Sequence, residues 1–382
     1  MRIFLSTGDI SGEQHAARLV REFATTAPDV KFSAMGSAPL RAAGAEVVVD
    51  NSAIKVMGFV AVVKHLPAIY GAFQQVLAHL DATRPDAVVL VDYPGFNLRL
   101  AKAVKKRFPS MKVIYYITPQ VWAWHQSRVK IIQRYVDYCL CILPFEPEFF
   151  ARHGVRAAYV GSPVADATRS IDRSAVKKIL GLSDATRLIS LFPGSRRKEL
   201  QYLLPPMIDA ARTIYEQFDD IAFALAAAPG YTAEDLQAYC AIPGWLTVLE
   251  NRNLELLAGS YFCFAKSGTT TLEAALLGCP LLVAYRGDWL SAKIARAIWA
   301  LNPQIKYISL PNLIGGKPVV PELLQEECNG AELARLARLL LKDEETYEGM
   351  RRDLRVIKHI VGDQNSAAVT AAAIRTQLKI TN

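Results

Sequence analysis

The sequence predicts an α/β protein made of two doubly wound domains, each a parallel sheet covered by helices on both faces. Short β-branched runs alternate with longer helical patterns along the chain. Several of the runs are apolar without a break, such as Ala87-Val88-Val89-Leu90-Val91, as strands buried on both faces must be. The rhythm also stops once, after Ser162-Pro163 and the polar stretch to Ser174, and then restarts, in a chain of 382 residues that is long for a single core.

Taken in order, the first half offers strands near 3–7, 31–35, 87–92, 113–117, 138–143 and 158–161. Helices fit between them at 12–24, 69–82, 98–106 and 124–134. The second half offers strands near 188–192, 221–226, 246–249, 261–265 and 280–284, and the Arg- and Ala-rich tail over 332–378 reads as helices. The expected division is 1–165 and 166–344, with helices from 345–382 returning to the first domain. Ligands in open α/β sheets meet the carboxyl ends of the strands, so the expected site is a central cleft faced by both domains.

Hydrophobic residues make up 52% of the chain and charged ones 21%, which suggests contact with apolar material. The longest apolar runs, such as 274–285, carry Gly278 and Pro280 and fall short of the ~18–20 residues of a membrane span. The first nine residues read as a strand entering a turn rather than as a signal peptide, which points to the cytoplasm. Six scattered cysteines without a C-x-x-C pair read as buried reduced thiols. The net charge of +8, with basic clusters at 102–107, 128–134, 196–198 and 351–358, favours phosphate-bearing partners: nucleic acid, nucleotides or anionic lipid head groups. No aromatic-interleaved basic tract is present, which argues against nucleic acid; each cluster alone also reads as a solvated helix face.

Two segments suit phosphate. Ala265-Lys266-Ser267-Gly268-Thr269-Thr270-Thr271-Leu272-Glu273 follows an apolar strand and opens a helix, so free N–H groups, a glycine and small hydroxyls meet at one point. Glu273 is placed to accept from a ribose hydroxyl pair; an ordinary Ser/Thr-capped helix start explains the same spacing. Phe192-Pro193-Gly194-Ser195-Arg196-Arg197-Lys198-Glu199 also joins a strand to a helix. Gly194 and Ser195 offer backbone donors, and the Arg196 guanidinium can hold a diphosphate with two hydrogen bonds. A plain helix-entry turn is the alternative, but three cations at a helix N-terminus oppose its dipole unless an anion is present. No G-x-G-x-x-G, phosphate-loop or D-x-D motif occurs, so neither a cofactor nor a metal is expected.

The first half supplies carboxylates at strand ends: Asp9 and Glu13 after the first strand, with His15 nearby, and Asp92 in Val91-Asp92-Tyr93-Pro94-Gly95-Phe96-Asn97. Such a carboxylate can serve as a general base or as a helix cap. The apolar segment 54–66, with Met57, Phe59 and Val60 between Lys55 and Lys64, suits either an acyl-binding or interfacial surface or an ordinary buried helix.

In combination these motifs resemble lipid A disaccharide synthase, family 19 of the glycosyltransferases. The resemblance runs over nearly the whole chain: Gly8-Asp9-Ile10-Ser11-Gly12-Glu13, Val56-Met57-Gly58, Pro94-Gly95-Phe96-Asn97-Leu98, Thr118-Pro119-Gln120-Val121-Trp122-Ala123-Trp124, Leu143-Pro144-Phe145-Glu146, Val160-Gly161-Ser162-Pro163, Pro193-Gly194-Ser195-Arg196, Ser267-Gly268-Thr269, Ser309-Leu310-Pro311-Asn312-Leu313 and 322–328. Each piece is weak alone, and in this order they are highly specific. The resemblance implies a GT-B fold and an inverting transfer from UDP-2,3-diacylglucosamine to 2,3-diacylglucosamine 1-phosphate (lipid X). It places UDP on Gly194, Ser195, Arg196, Ser267, Gly268, Thr269, Thr270, Glu273, Asn312 and Gln325, and the acceptor or membrane near Met57, Phe59, Val60, Trp122 and Trp124. It also implies a homodimer that exchanges C-terminal segments. Many members read D-x-P-D-F-N where this chain has Gly95 in place of the second Asp. Asp92 is then the first candidate for the catalytic base, followed by Glu13 and Asp9.

Overall fold

The computed structural model describes residues 1–52, 66–123, 126–287 and 306–380. The chain forms two compact units, Met1–Pro163 with Gln364–Asn382, and Val164–Asp363.

In the first unit seven strands, β1 (Arg2–Ser6), β2 (Lys31–Gly36), β3 (Glu46–Asp50), β4 (Ala87–Val91), β5 (Lys112–Tyr116), β6 (Tyr138–Cys141) and β7 (Ala157–Tyr159), lie in the order β3-β2-β1-β4-β5-β6-β7. Every pairing is parallel, with Leu5 of β1 opposite Ala34 of β2 on one side and Val89 of β4 on the other. Alternate residues serve the two faces, as the two-residue period of a strand requires. Phe4, Val88, Leu90, Val113 and Tyr115 enter one core; Ile3, Leu5, Val89, Val91, Ile114 and Tyr116 enter the other. Helices α1 (Ile10–Thr26), α2 (Leu66–Thr83), α3 (Pro94–Arg107) and α4 (Glu146–Arg152) belong to this unit. The chain builds outward from β1 to β3, then crosses to β4 on β1's other side. That reversal between β1 and β4 is the switch point at which open sheets bind ligands.

The second unit repeats the plan. Strands β8 (Arg187–Phe192), β9 (Ile221–Ala227), β10 (Leu246–Glu250), β11 (Phe262–Lys266), β12 (Leu281–Tyr285) and β13 (Glu322–Leu324) lie in the order β10-β9-β8-β11-β12-β13, all parallel. Its switch point falls between β8 and β11. Helices α5 (Arg197–Tyr215), α6 (Thr269–Leu277), α7 (Leu310–Gly315), α8 (Gly330–Lys342) and α9 (Glu344–Val361) follow in chain order.

The expected return of 345–382 to the first unit holds only for its last part. Helix α9 stays with the second unit because its buried stripe of Tyr347, Met350, Leu354, Ile357 and Val361 packs there. The Tyr347 ring stacks on Tyr261 at 4.1 Å, and Lys317 pairs with Asp353 at 2.8 Å. Gly362, with φ +73, breaks the helix, and α10 (Ser366–Leu378) lays Ala367, Ala371 and Ile374 against the first unit. There Ala371 and Ile374 join the α1 side of the core. Two edge strands, β3 and β13, were not expected, and α3 begins at Pro94 rather than at 98.

Candidate active site

At the switch point of the first unit, β1 runs into Thr7-Gly8-Asp9 and α1. Asp9 is the N-cap of α1, and its Oδ1 accepts from the Gly12 N–H at 2.6 Å. This is the capping role weighed above, and it directs that oxygen to the helix start. Glu13 is wholly buried and accepts from the Ser37 hydroxyl at 2.6 Å, tying α1 to the turn after β2. His15 lies 3.3 Å from the Ser11 hydroxyl on the exposed side of α1.

Asp92 follows β4 in an unusual backbone. Asp92 and Tyr93 have φ of +44 and +49, two consecutive non-glycine residues in the left-handed region. Such strain persists only where surroundings over-determine it, and it concentrates at functional sites. Here the Asp92 N–H donates to Tyr116 O at 3.1 Å, while its carbonyl accepts from Asn97 Nδ2 at 2.7 Å and the Tyr115 hydroxyl at 2.8 Å. The Tyr93 ring lies over Gly8, where a Cβ would come within 2.0 Å of it. Asn97, fully buried, also accepts from the Ser6 hydroxyl at 2.6 Å, so it clamps the ends of β1 and β4 together. Burial, and then the charge of Asp9, push the Asp92 carboxyl up to about 6 against a helping hydrogen bond from the Tyr93 N–H. A carboxylate at that value is matched to taking a proton near neutral pH. Gly95 is exposed in the first turn of α3, and a Cβ there would meet nothing within 4 Å.

Two strands further along the sheet lies a second perturbed carboxyl. Glu146, at the start of α4, is 1% exposed and accepts from Trp122 Nε1 at 3.2 Å and from the Leu143 N–H at 3.1 Å. Burial pushes it up to about 7. Trp122, expected to face acceptor or membrane, is buried and packs edge-to-face on Phe145. Its indole therefore holds the segment after β5 in place instead of presenting an apolar surface. Met57, Phe59, Val60 and Trp124 lie outside the described residues.

In the second unit both phosphate-suited turns fall at the β8–β11 switch point. Gly194 has φ +113, and a Cβ on it would stand 2.4 Å from Glu199 Oε2. That oxygen accepts from the N–H groups of Ser195 at 3.0 Å and Arg196 at 3.2 Å. The backbone donors expected to meet phosphate are thus engaged by Glu199, and the anion that the cation-rich helix start demands is supplied from within. The Arg196 side chain is 74% exposed, with a guanidinium nitrogen 3.7 Å from Glu199. Lys266, at the end of β11, pairs with Glu199 at 3.0 Å and so links the two turns. Burial acts to raise the Glu199 carboxyl, but the Lys266 charge and the hydrogen bonds from Lys266, Ser195 and Arg196 outweigh it and hold it below the usual range.

Gly268 caps α6 with φ +156 and no side-chain cap, which leaves the first-turn N–H groups of Thr269 and Thr270 without a capping side chain. Ser267 donates to Ile308 O at 2.8 Å, so its hydroxyl anchors a neighbouring loop. Glu273 makes no hydrogen bond or ion pair among the described residues, and burial raises its carboxyl. Asn312, expected to touch the nucleotide, is instead 1% exposed with its amide fully engaged. Its Nδ2 donates to Val320 O and Glu322, and its Oδ1 accepts from the N–H groups of Val319 and Val320, all within 2.7–2.9 Å. Glu322 also accepts from Ser309 and Ile308 N–H and fastens the entry to α7. Gln325, at φ +54, accepts from the Gly287 N–H at 3.3 Å. Lys266, Glu199, Asn97, Glu146 and Glu322 were not singled out from sequence. For Lys266 and Glu199 the signal was their place inside the two turns.

The family described as lipid-A-disaccharide synthetase matches residues 3–374. The chain belongs to this family. It is 39% identical to the lipid-A-disaccharide synthase of Nitrosococcus oceani, over 94% of this chain and 92% of that one. It is 37% identical to the enzyme of the same name from Trichlorobacter lovleyi, over 94% and 93%. Among solved structures, the UDP-GlcNAc 2-epimerase of Neisseria meningitidis bound to UDP-GlcNAc aligns with a TM-score of 0.68 at 13% identity, covering 99% of this chain and all of that one. The S. aureus MnaA–UDP structure aligns with a TM-score of 0.68 at 13% identity, covering 100% and 97%. These likenesses show the fold: two Rossmann-like units of the GT-B kind. Among the described residues no helix is long and apolar enough to cross a membrane.

Proposed function

We propose that the chain is a lipid-A-disaccharide synthase, joining UDP-2,3-diacylglucosamine to 2,3-diacylglucosamine 1-phosphate to give the β-1,6-linked disaccharide 1-phosphate and UDP. The observation that carries this reading is the family match over residues 3–374. The geometry supports a division of labour. Asp92 accepts the proton of the acceptor 6-hydroxyl, whose oxygen attacks the anomeric carbon from the face opposite UDP. The bond from that carbon to the β-phosphate oxygen breaks, and the charge gathered on UDP is met by Arg196 and the uncapped start of α6. Glu273 accepts from the ribose hydroxyls. Asp9 and Glu13 hold the start of α1, and Asn312 builds the loop behind the nucleotide instead of touching it.

The test is disaccharide formation by the purified chain from the two acylated substrates, with and without a chelator. Product in both arms is expected; UDP binding without product would leave a nucleotide-sugar-binding protein. UDP-GlcNAc offered alone should yield no epimer, which separates the activity from that named for the Neisseria meningitidis structure. Arg196→Ala should weaken UDP binding and slow turnover, and unchanged values for both would remove it from the diphosphate site.

The lipid substrates call for work at an anionic inner-membrane surface, with the basic clusters as its footing. Co-sedimentation with anionic vesicles that is lost at high salt is the expected result. Exchange of α10 between two copies would preserve its contact with α1, and light scattering reads whether the protein is a dimer.

A further inference from the structure

The Glu199 carboxylate is surrounded by the donors that a phosphate would take: two backbone N–H groups at 3.0 and 3.2 Å, the Lys266 ammonium at 3.0 Å and the Arg196 guanidinium at 3.7 Å. Both members of the Glu199–Lys266 pair are mostly shielded, with side chains 16% and 24% exposed. The pair also bridges the turn after β8 and the turn after β11. A Cβ added at Gly268 would lie 3.3 Å from Lys266 Nζ, so the ammonium sits directly against the entry to α6.

We propose that Lys266 is a diphosphate-binding residue and that Glu199 is an internal stand-in for the phosphate, holding Lys266 until UDP arrives. This rests on the reading that these turns bind UDP. On binding, Lys266 turns from the Glu199 carboxylate to a phosphate oxygen without leaving the turn it occupies. Glu199 keeps its two backbone N–H donors and so keeps α5 capped. No proton or covalent bond changes hands; one ion pair is exchanged for another. The exchange makes Glu199 a brake on affinity and Lys266 the group that the brake acts on. It also offsets the repulsion between the Lys266 and Arg196 cations at the helix start.

A double-mutant cycle on UDP affinity, measured by calorimetry on the full chain, tests the exchange. Lys266→Met should weaken UDP about tenfold, the scale of one hydrogen bond to a charged group, and leave uridine affinity unchanged because uridine has no phosphate. Glu199→Gln keeps an oxygen for the backbone donors but releases the ammonium, and it should tighten UDP severalfold, a gain that a folding defect cannot produce. In the Lys266→Met background the same substitution should give no gain. Equal tightening in both backgrounds would mean simple repulsion between carboxylate and phosphate and would overturn the exchange. Loss of uridine binding in Lys266→Met would assign that residue to the fold instead. If wild type binds no UDP, the reading of the turns fails; if wild type binds it, Arg196→Ala weakens it and Lys266→Met does not, only the exchange fails.

Discussion

Replacing Asp92 by Asn should remove activity and stabilise the protein at the same time. Asn is nearly isosteric with Asp and tolerates left-handed backbone equally well, so φ +44 at this position adds no new strain. The carboxyl is pushed from 3.8 to about 6, by burial first and the charge of Asp9 second. A folded-state pKa above the unfolded one means that the fold holds the proton more tightly than the unfolded chain. Stability is therefore full below about pH 4 and is lost as pH rises through about 6. The displacement from 3.8 to about 6 corresponds to about 3 kcal/mol at pH 8 as an upper bound. Solvent reaching the partly exposed side chain brings the expected cost down to about 1–2 kcal/mol. Asn carries no such cost. Urea unfolding should then show the variant more stable by that amount at pH 8 and equal to wild type near pH 4. Turnover at neutral pH should fall by roughly 10² to 10⁴. Equal stability at both pH values would refute the account of the Asp92 environment, and turnover within a few-fold of wild type would refute its role as base.

Three further substitutions read other parts of the structure. Gly95→Asp fits open space in the first turn of α3, where a carboxylate suits the helix dipole; the fold should survive, and the added charge should move the acid limb of the rate–pH profile upward. Glu146, pushed up to about 7 by burial, destabilises the fold progressively as pH rises through that value. Glu146→Gln should flatten the fall in melting temperature between pH 6 and 8, and an unaltered slope would place the titration elsewhere. Asn312→Ala strips four hydrogen bonds from a side chain that is 1% exposed and should cost about 2–4 kcal/mol in denaturant unfolding. A residue that only touched the nucleotide would leave stability within about 0.5 kcal/mol.

Most of the fold was legible because buried parallel strands announce themselves. β4, Ala87–Val91, is buried at every position, and its sequence is apolar at every position. The strands that escaped are those for which that logic fails. β3, at one edge, runs Glu46-Val47-Val48-Val49-Asp50 and buries only Val49 fully. β13, at the other edge, is three residues long, and its Glu322 turns from the ladder to serve Ser309 and Asn312. The division of the tail is hidden for a different reason. α9 and α10 are both helical and each buries one stripe of residues, and only the short stretch from Gly362 to the N-cap Asn365 marks the break. Which unit each helix joins depends on partners such as Tyr261, far away in sequence.

The site was legible to the level of the turn but not of the atom. A helix start rich in cations and glycine asks for an anion, and the spacing in 192–199 shows that request without showing who answers it. Gly194 is needed whether a phosphate or the Glu199 carboxylate comes close, since a Cβ would obstruct either. A capping box and a phosphate cradle thus share one sequence signature, because both satisfy the same unpaired N–H groups. Lys266 separates them. A capping box needs no lysine from another strand, and an ammonium brought 3.0 Å from the capping carboxylate by β11 adds a donor that the helix start does not require. Only the order β8-β11 in the sheet brings Lys266 to Glu199, and adjacency of strands 73 residues apart, as Phe262 and Ile189 pair across the switch point, follows from topology rather than from local spacing.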